Sequence, residues 1–268
     1  MAKKNRVRVK KIAEVFWVDR LKKIGVLAVI AIIYVWSARG VGFSILEIVR
    51  ELPSFFSLLG EMIPPNWAYS RRLIDPLVET IQIAILGTFF GAILTIPLTL
   101  LAANNITRNR YIYFFAKGFM NIFRTIPELL YAAILVAGIG LGAFSGMLAI
   151  TIFSTVVIAK LTSESLEAIS YGPLEALQAV GGNKLQMIRY AVVPQILPAY
   201  TSYSLYVFEI NIRVSTVLGL VGAGGIGVPL QTSLNLFRYQ NASMIILVTF
   251  ILVMAIDYAS TKLREVLV

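Results

Sequence analysis

The sequence contains neither cysteine nor histidine. Their absence removes thiol nucleophiles, disulfides, Cys/His metal sites and imidazole acid–base work together. The acids are few and scattered, so no metal-ligand cluster is expected. What remains for chemistry is a handful of polar groups set inside long apolar stretches: Arg124 and Glu128, then Glu209, Asn211 and Arg213, and finally Asp257. Arg124 and Glu128 stand four apart, as do Glu209 and Arg213, the spacing that puts two side chains on one helix face. Such pairs either fix the rotation of a helix or line a path for an anion, and Arg213 would favour an anion. All five residues other than Asp257 are candidates for a path or gate. The structural reading weighs more for Arg124 and Glu128, and Asp257 reads as a polar packing contact between helices.

The stretches that carry these groups cannot fold in water alone. Of 268 residues, 58% are hydrophobic and 14% are charged, whereas an average soluble domain has roughly 45–50% apolar and about 25% charged residues. The deficit of charge leaves too little polar surface to enclose a water-soluble core. The sequence predicts an all-α integral membrane protein with about six spans, at residues 24–38, 77–103, 119–139, 147–161, 196–217 and 242–259. The first run is short for a bilayer that needs about 20 residues. Its basic flank resembles a secretory signal, but the small-x-small cleavage pattern is poor, so it reads as a retained anchor.

Three parts follow from this pattern: a basic arm over residues 1–23, an anchor with an interfacial helix over 24–75, and a transmembrane domain over 76–263. In the middle part, Ser44 and Glu47 form an S-x-x-E capping box. Ile45, Ile48, Val49, Leu52, Phe55 and Phe56 then recur at helical spacing, which predicts an amphipathic helix on the membrane surface. The net charge of +10 reads as membrane topology and not as nucleic-acid binding. With the arm inside, only Arg39, Arg50, Arg71, Arg72 and Arg238 fall on outer segments, while Arg124 and Arg213 lie within spans. The positive-inside bias puts both termini and the polar stretch from about 162 to 194 in the cytoplasm.

That polar stretch holds the most specific pattern in the chain. It reads Glu175-Ala176-Leu177-Gln178-Ala179-Val180-Gly181, then nine residues, then Ala191-Val192-Val193-Pro194. Glu164, Glu167 and Glu175 alternate with Leu166, Leu174, Leu177 and Val180, which predicts a short amphipathic helix, and Gly181-Gly182 permits a sharp turn and a close backbone approach. The pattern resembles the EAA motif of ABC importer permeases, with Leu177 larger than the usual third residue. Arg124-Thr125-Ile126-Pro127-Glu128-Leu129 resembles the motif that opens the third span in these proteins. Glu209-Ile210-Asn211-Ile212-Arg213 followed by the glycine-rich stretch 219–227 resembles the phosphonate and phosphite uptake branch.

The resemblance implies a type I ABC importer permease fold in a prokaryotic inner membrane. It implies a homodimer, two ATPase subunits that use ATP and Mg, an extracytoplasmic binding protein, and no cofactor on this chain. Glu175, Ala176, Gly181 and Pro194 would then couple to the ATPase. No G-x-x-x-x-G-K-[ST] occurs, so an ATPase would have to be a separate subunit. Gly222, Gly224 and Gly227 satisfy G-x-G-x-x-G but lie between spans, where a re-entrant or capping loop is expected instead of a dinucleotide site. A permease for methionine or glycine betaine fits the same motif. An ion-coupled carrier would want paired broken helices in internal repeats, and a membrane-embedded enzyme would want converging polar groups with histidine among them.

Overall fold

The structure, a computed structural model, describes residues 22–107 and 109–267. Apart from Lys22 and Lys23, the predicted basic arm lies outside the described residues. The chain divides into two units, residues 1–60 and 61–268, and no strand occurs among the described residues.

In the first unit, α1 (Lys22–Gly40) has 19 residues and none of its apolar stretch is buried within the chain. At 1.5 Å per residue it reaches about 28 Å, close to the hydrocarbon thickness of about 30 Å. The basic residues at its ends supply the turns that the apolar run lacked. Helix α2 (Ile45–Glu61) begins where Ser44 Oγ accepts the Glu47 amide at 3.3 Å. It leaves Ile45, Ile48, Val49, Phe55 and Phe56 exposed.

The second unit is built on one close helix pair. Helix α3 (Ile74–Leu101) is entered through a 3-10 turn, Trp67–Leu73, and packs along α6 (Ala143–Glu167). A Cβ on Gly87 would stand 2.4 Å from Ile150 Cγ2, and one on Gly91 would stand 2.5 Å from Ser154 Cβ. This Gly-x-x-x-Gly pair lets the two backbones approach, which is how helices associate where lipid is as apolar as leucine. The Thr95 hydroxyl then bridges the pair, 2.9 Å from Gly91 O and 3.0 Å from Thr155 O. Helix α9 (Val193–Leu218) lies against both, and α11 (Tyr239–Leu267) packs on α9, where the Ser260 hydroxyl donates to Leu205 O at 3.3 Å.

The predicted third span, 119–139, is broken. Helices α4 (Arg110–Arg124) and α5 (Glu128–Ile139) meet at a bend of 86°. Pro127 lacks an amide hydrogen and disfavours helical backbone at Ile126. The carbonyls this frees are re-satisfied locally: Thr125 donates through both its amide and its hydroxyl to Ile122 O, and the Tyr131 hydroxyl donates to Phe123 O at 2.6 Å. Among the described residues five helical stretches are long and apolar enough to span, or six with the bent pair counted as one.

Helix α6 also runs further than expected. Glu164 and Glu167, assigned from sequence to the docking helix, belong to its last turns, and Glu167 is held there by Lys117 at 2.9 Å and by the Asn104 amide at 3.1 Å. A short helix, α10 (Gly227–Asn235), links the glycine-rich turn to α11. It ends in a Schellman arrangement, with Arg238 N donating to Ser233 O at 2.8 Å and Phe237 N to Leu234 O at 3.1 Å. The left-handed position there is Phe237, with φ 53°, where glycine is the usual occupant. The left-handed conformation costs a side-chain-bearing residue about 1–2 kcal/mol, so Phe237→Gly is expected to raise the melting temperature of the detergent-purified protein by the equivalent of about 1 kcal/mol. A lowered midpoint would show that the exposed Phe237 ring makes contacts worth more than that strain.

Candidate coupling loop and translocation site

The loop that joins α6 to α9 is a small helix–turn–helix. Helix α7 (Gly172–Ala179) buries Leu174 and half-buries Leu177 against Ala103, Leu166, Ala191 and Val192. Glu175, Ala176 and Val180 therefore face away from the bundle. Gly181 then turns the chain with φ 78°, a left-handed conformation, and Gly182 lies so close to the Leu177 carbonyl that a Cβ would stand 2.8 Å from it. Both expectations for the glycine pair are met. The next helix, α8 (Lys184–Met187), opens on a reciprocal capping box: Asn183 Oδ1 accepts the Gln186 amide at 2.9 Å and Gln186 Oε1 accepts the Asn183 amide at 2.8 Å. Val180 and Leu185 are 79% and 78% exposed, so Gly181 sits between two apolar side chains that none of the described residues covers.

Pro194 acts at the joint. The chain widens into one π turn, Ile188–Val192, before α9 begins, because the proline ring cannot fit against the carbonyl four residues back. Gln195 fills the gap: its Nε2 donates to Ala191 O at 2.7 Å, and its Oε1 accepts the Ser170 amide at 3.1 Å. The root of α9 is thereby tied to the start of α7.

The polar groups of α9 divide into two sets. Asn211 is fully buried, and its Nδ2 donates to Thr88 Oγ1 and to Ser154 Oγ, each at 2.7 Å. Thr88 and Ser154 lie near the middle of α3 and α6 respectively, so Asn211 marks mid-height of the bundle. The sequence reading placed Asn211 among residues that line or gate a path, but here it is a pin between three helices with no open surface.

Glu209 and Arg213, two residues to either side of Asn211 and so on the other face of α9, form the predicted i,i+4 ion pair. The Glu209 side chain is 9% exposed and the Arg213 side chain 53%. Two residues of α11 join them. Arg264 Nη2 donates to Glu209 Oε2 at 2.8 Å, and Asp257 Oδ1 lies 3.8 Å from Arg213 Nη2. The single packing contact expected of Asp257 is thus replaced by membership in a four-charge cluster. Arg264 is not among the polar groups that the sequence singles out. The signal available for it was its spacing: it stands seven residues from Asp257, two turns along the same face.

Arg124 and Glu128 do not form the expected pair. The bend at Pro127 separates them, and neither has an ion-pair partner among the described residues. The stretch 219–227 is a compact turn packed on α3 and α6: Gly142 N donates to Gly222 O at 2.9 Å and Ile226 N to Thr80 Oγ1 at 2.8 Å. It joins two helices and no strand precedes it, so it lacks the strand-to-helix context of a dinucleotide site.

A multi-pass helical bundle with a docking-type loop at one end and a charge cluster at mid-height defines a membrane transport subunit. Residues 95–265 match the family described as binding-protein-dependent transport system inner membrane component, and the chain belongs to that family. It is similar to the phosphite transport system permease protein PtxC of Stutzerimonas stutzeri, 35% identical over 218 residues, which cover 81% of this chain and 79% of that protein. It is also similar to the phosphate-import permease protein PhnE of Mycolicibacterium smegmatis, 38% identical over 208 residues, 77% of this chain and 39% of that protein. Its fold matches a chain of the inward-facing MetNI methionine ABC transporter with a TM-score of 0.65 at 23% identity, over 76% of this chain and 99% of that one. The fold is thus that of a type I ABC importer permease.

Two substitutions separate pin from path. Asn211→Ala removes both interhelical bonds and leaves the Ser154 hydroxyl without its partner, while Thr88 keeps its bond to Ala84 O; it should lower the stability of the purified protein by about 1–2 kcal/mol, near the upper end for interhelical hydrogen bonds in membranes, seen as a lower melting temperature in detergent. Arg213→Gln leaves Glu209 paired to Arg264 and should lower that midpoint less than Asn211→Ala does, while abolishing uptake in reconstituted vesicles.

Proposed function

We propose that this chain is the membrane-spanning permease subunit of an ATP-driven importer, and that it passes a small phosphorus oxyanion from an extracytoplasmic binding protein into the cytoplasm. The observation that carries the substrate class is the half-exposed Arg213 at mid-height of the bundle. A cation there cannot face lipid without a cost of about 2.5–3.5 kcal/mol, so its face borders water or protein. A guanidinium presents a planar fork of donors that suits a phosphorus oxyanion. The likeness to phosphite and phosphate permeases supports the same class, with phosphonate and phosphite the first candidates.

In this reading Glu175, Ala176 and Gly181 seat in a cleft of a separate ATPase subunit that binds ATP and Mg. Val180 and Leu185 supply the apolar contact, and Pro194 with Gln195 passes movement of α7 to the root of α9. Two copies of the chain and two ATPase subunits form the working assembly in the prokaryotic inner membrane, with both termini of the chain cytoplasmic, as its basic residues favour. The opposite ends of the spans, near Arg71, Arg72 and Arg238, face the binding protein.

The test is ATP hydrolysis by the complex reconstituted in lipid with its ATPase and binding protein, in the presence of phosphite, methylphosphonate, phosphate or methionine. Stimulation by one phosphorus oxyanion is expected. Stimulation by methionine alone would overturn the substrate class and keep the importer, and uptake driven by an ion gradient without the ATPase would overturn both. Within the same assay, Gly181→Trp should abolish stimulated hydrolysis while the bundle keeps its melting temperature, since both the left-handed turn and the room around Gly181 are lost. Full coupling in that variant would remove the loop from the ATPase interface.

A further inference from the structure

The four charges shared by α9 and α11 are not equivalent, and their differences assign them separate tasks. Glu209 is buried and both its carboxylate oxygens are occupied, Oε1 by Arg213 and Oε2 by Arg264. Two cations on one buried carboxylate hold it in place from two helices, α9 and α11. Arg264 is itself only 27% exposed. Its Nη2 also reaches Thr261 Oγ1 at 3.4 Å, which fixes its head over Glu209.

Asp257 is held differently. It is 53% exposed and stands 3.8 Å from Arg213, well beyond the 2.7–2.9 Å of a charge-assisted hydrogen bond. No donor side chain or amide hydrogen-bonds to it among the described residues, and its carboxylate lies beside that of Glu209. Arg213 in turn is half-exposed and donates one short contact, to Glu209, so part of its five-donor fork is free. The cluster sums to zero: Glu209 and Asp257 balance Arg213 and Arg264. An anion that reached Arg213 would meet a site of no net charge, in which Glu209 stays paired to both arginines and the Asp257 carboxylate, 3.8 Å from Arg213, is the negative charge that can give way.

We propose that Asp257 is a displaceable counter-ion: it completes the charge around Arg213 while the site is empty, and an entering phosphorus oxyanion takes its place on the guanidinium. A phosphorus oxyanion has oxygens spaced to accept two parallel bonds from an Arg fork, which a carboxylate 3.8 Å away does not make. Glu209 stays where it is, because releasing it would leave a buried carboxylate and Arg264 without their main partner. Return of Asp257 then expels the anion, so the site binds weakly and releases quickly, as a path must. Arg264 acts as a positioning residue by holding Glu209 and through it the orientation of Arg213. The proposal rests on the reading that the Arg213 face lines the path.

The test is calorimetric titration of sodium phosphite into the full-length permease in lipid nanodiscs, with Asp257→Asn, Asp257→Glu and Arg213→Gln beside the wild type. Removing the competing charge should tighten phosphite binding by about tenfold in Asp257→Asn, as expected for loss of one nearby like charge in a partly screened site. Asp257→Glu, which keeps the charge, should return the affinity to near that of the wild type, an outcome that a merely structural role for Asp257 does not predict. In vesicles carrying the whole complex, Asp257→Asn should slow turnover, because the anion is no longer pushed off. Equal or weaker binding by Asp257→Asn, including no measurable binding, overturns the counter-ion. Binding by Arg213→Gln that matches the wild type instead overturns the path reading on which it rests.

Discussion

Most of this fold depends on one amide. Asn211 is fully buried where α3, α6 and α9 meet, and it spends both amide hydrogens on Thr88 and Ser154. In a hydrocarbon surround there is no water to accept those bonds if the helices separate or rotate. The pin therefore fixes more than proximity. By holding one face of α9 toward α3 and α6, it directs Glu209 and Arg213, two residues to either side and so on the opposite face, toward α11 and away from the core. The small residues of α3 make the pin possible, since Gly87 and Gly91 bring α6 near enough for Ser154 to be reached.

The same helix then connects the two functional ends. α9 follows directly from the π turn at Ile188–Val192, so a displacement of the loop that carries Gly181 is delivered to a rod that also holds Glu209 and Arg213. Gln195 ties the foot of that rod to the start of α7. The π turn at the root of this helix is where backbone hydrogen bonds are already rearranged, so bending there disturbs little else. The cluster spans α9 and α11, and relative movement of these helices would alter the distances among its four charges.

Irregular backbone within the bundle is tolerated only where side chains replace the lost ladder. At the α4–α5 bend, Thr125 and Tyr131 cover the carbonyls that Pro127 leaves open. At the turn 219–227, Thr80 accepts the Ile226 amide and the Gly142 amide meets Gly222 O. Both breaks were marked in the sequence by proline or clustered glycine. The residues that repair them were not, because a threonine or tyrosine in an apolar run carries no sign of which distant carbonyl or amide it will meet.

The sequence by itself determined the membrane class, the approximate place of most helical spans, the short helix and glycine turn at 172–182 and the i,i+4 pair of Glu209 and Arg213. Each of these is written in local composition, in helical period or in short fixed spacings. Only the tertiary structure decided which polar residues are structural and which are open. Asn211, two residues from both Glu209 and Arg213, turned inward because two hydroxyls from other helices await it there, while Arg124 and Glu128 were parted by a bend whose size no spacing reveals. Asp257 and Arg264 entered the site from the last helix. Their part in it depends on how α11 packs against α9, and packing between helices far apart in the chain is set by the shapes of both faces at once, which neither segment carries alone.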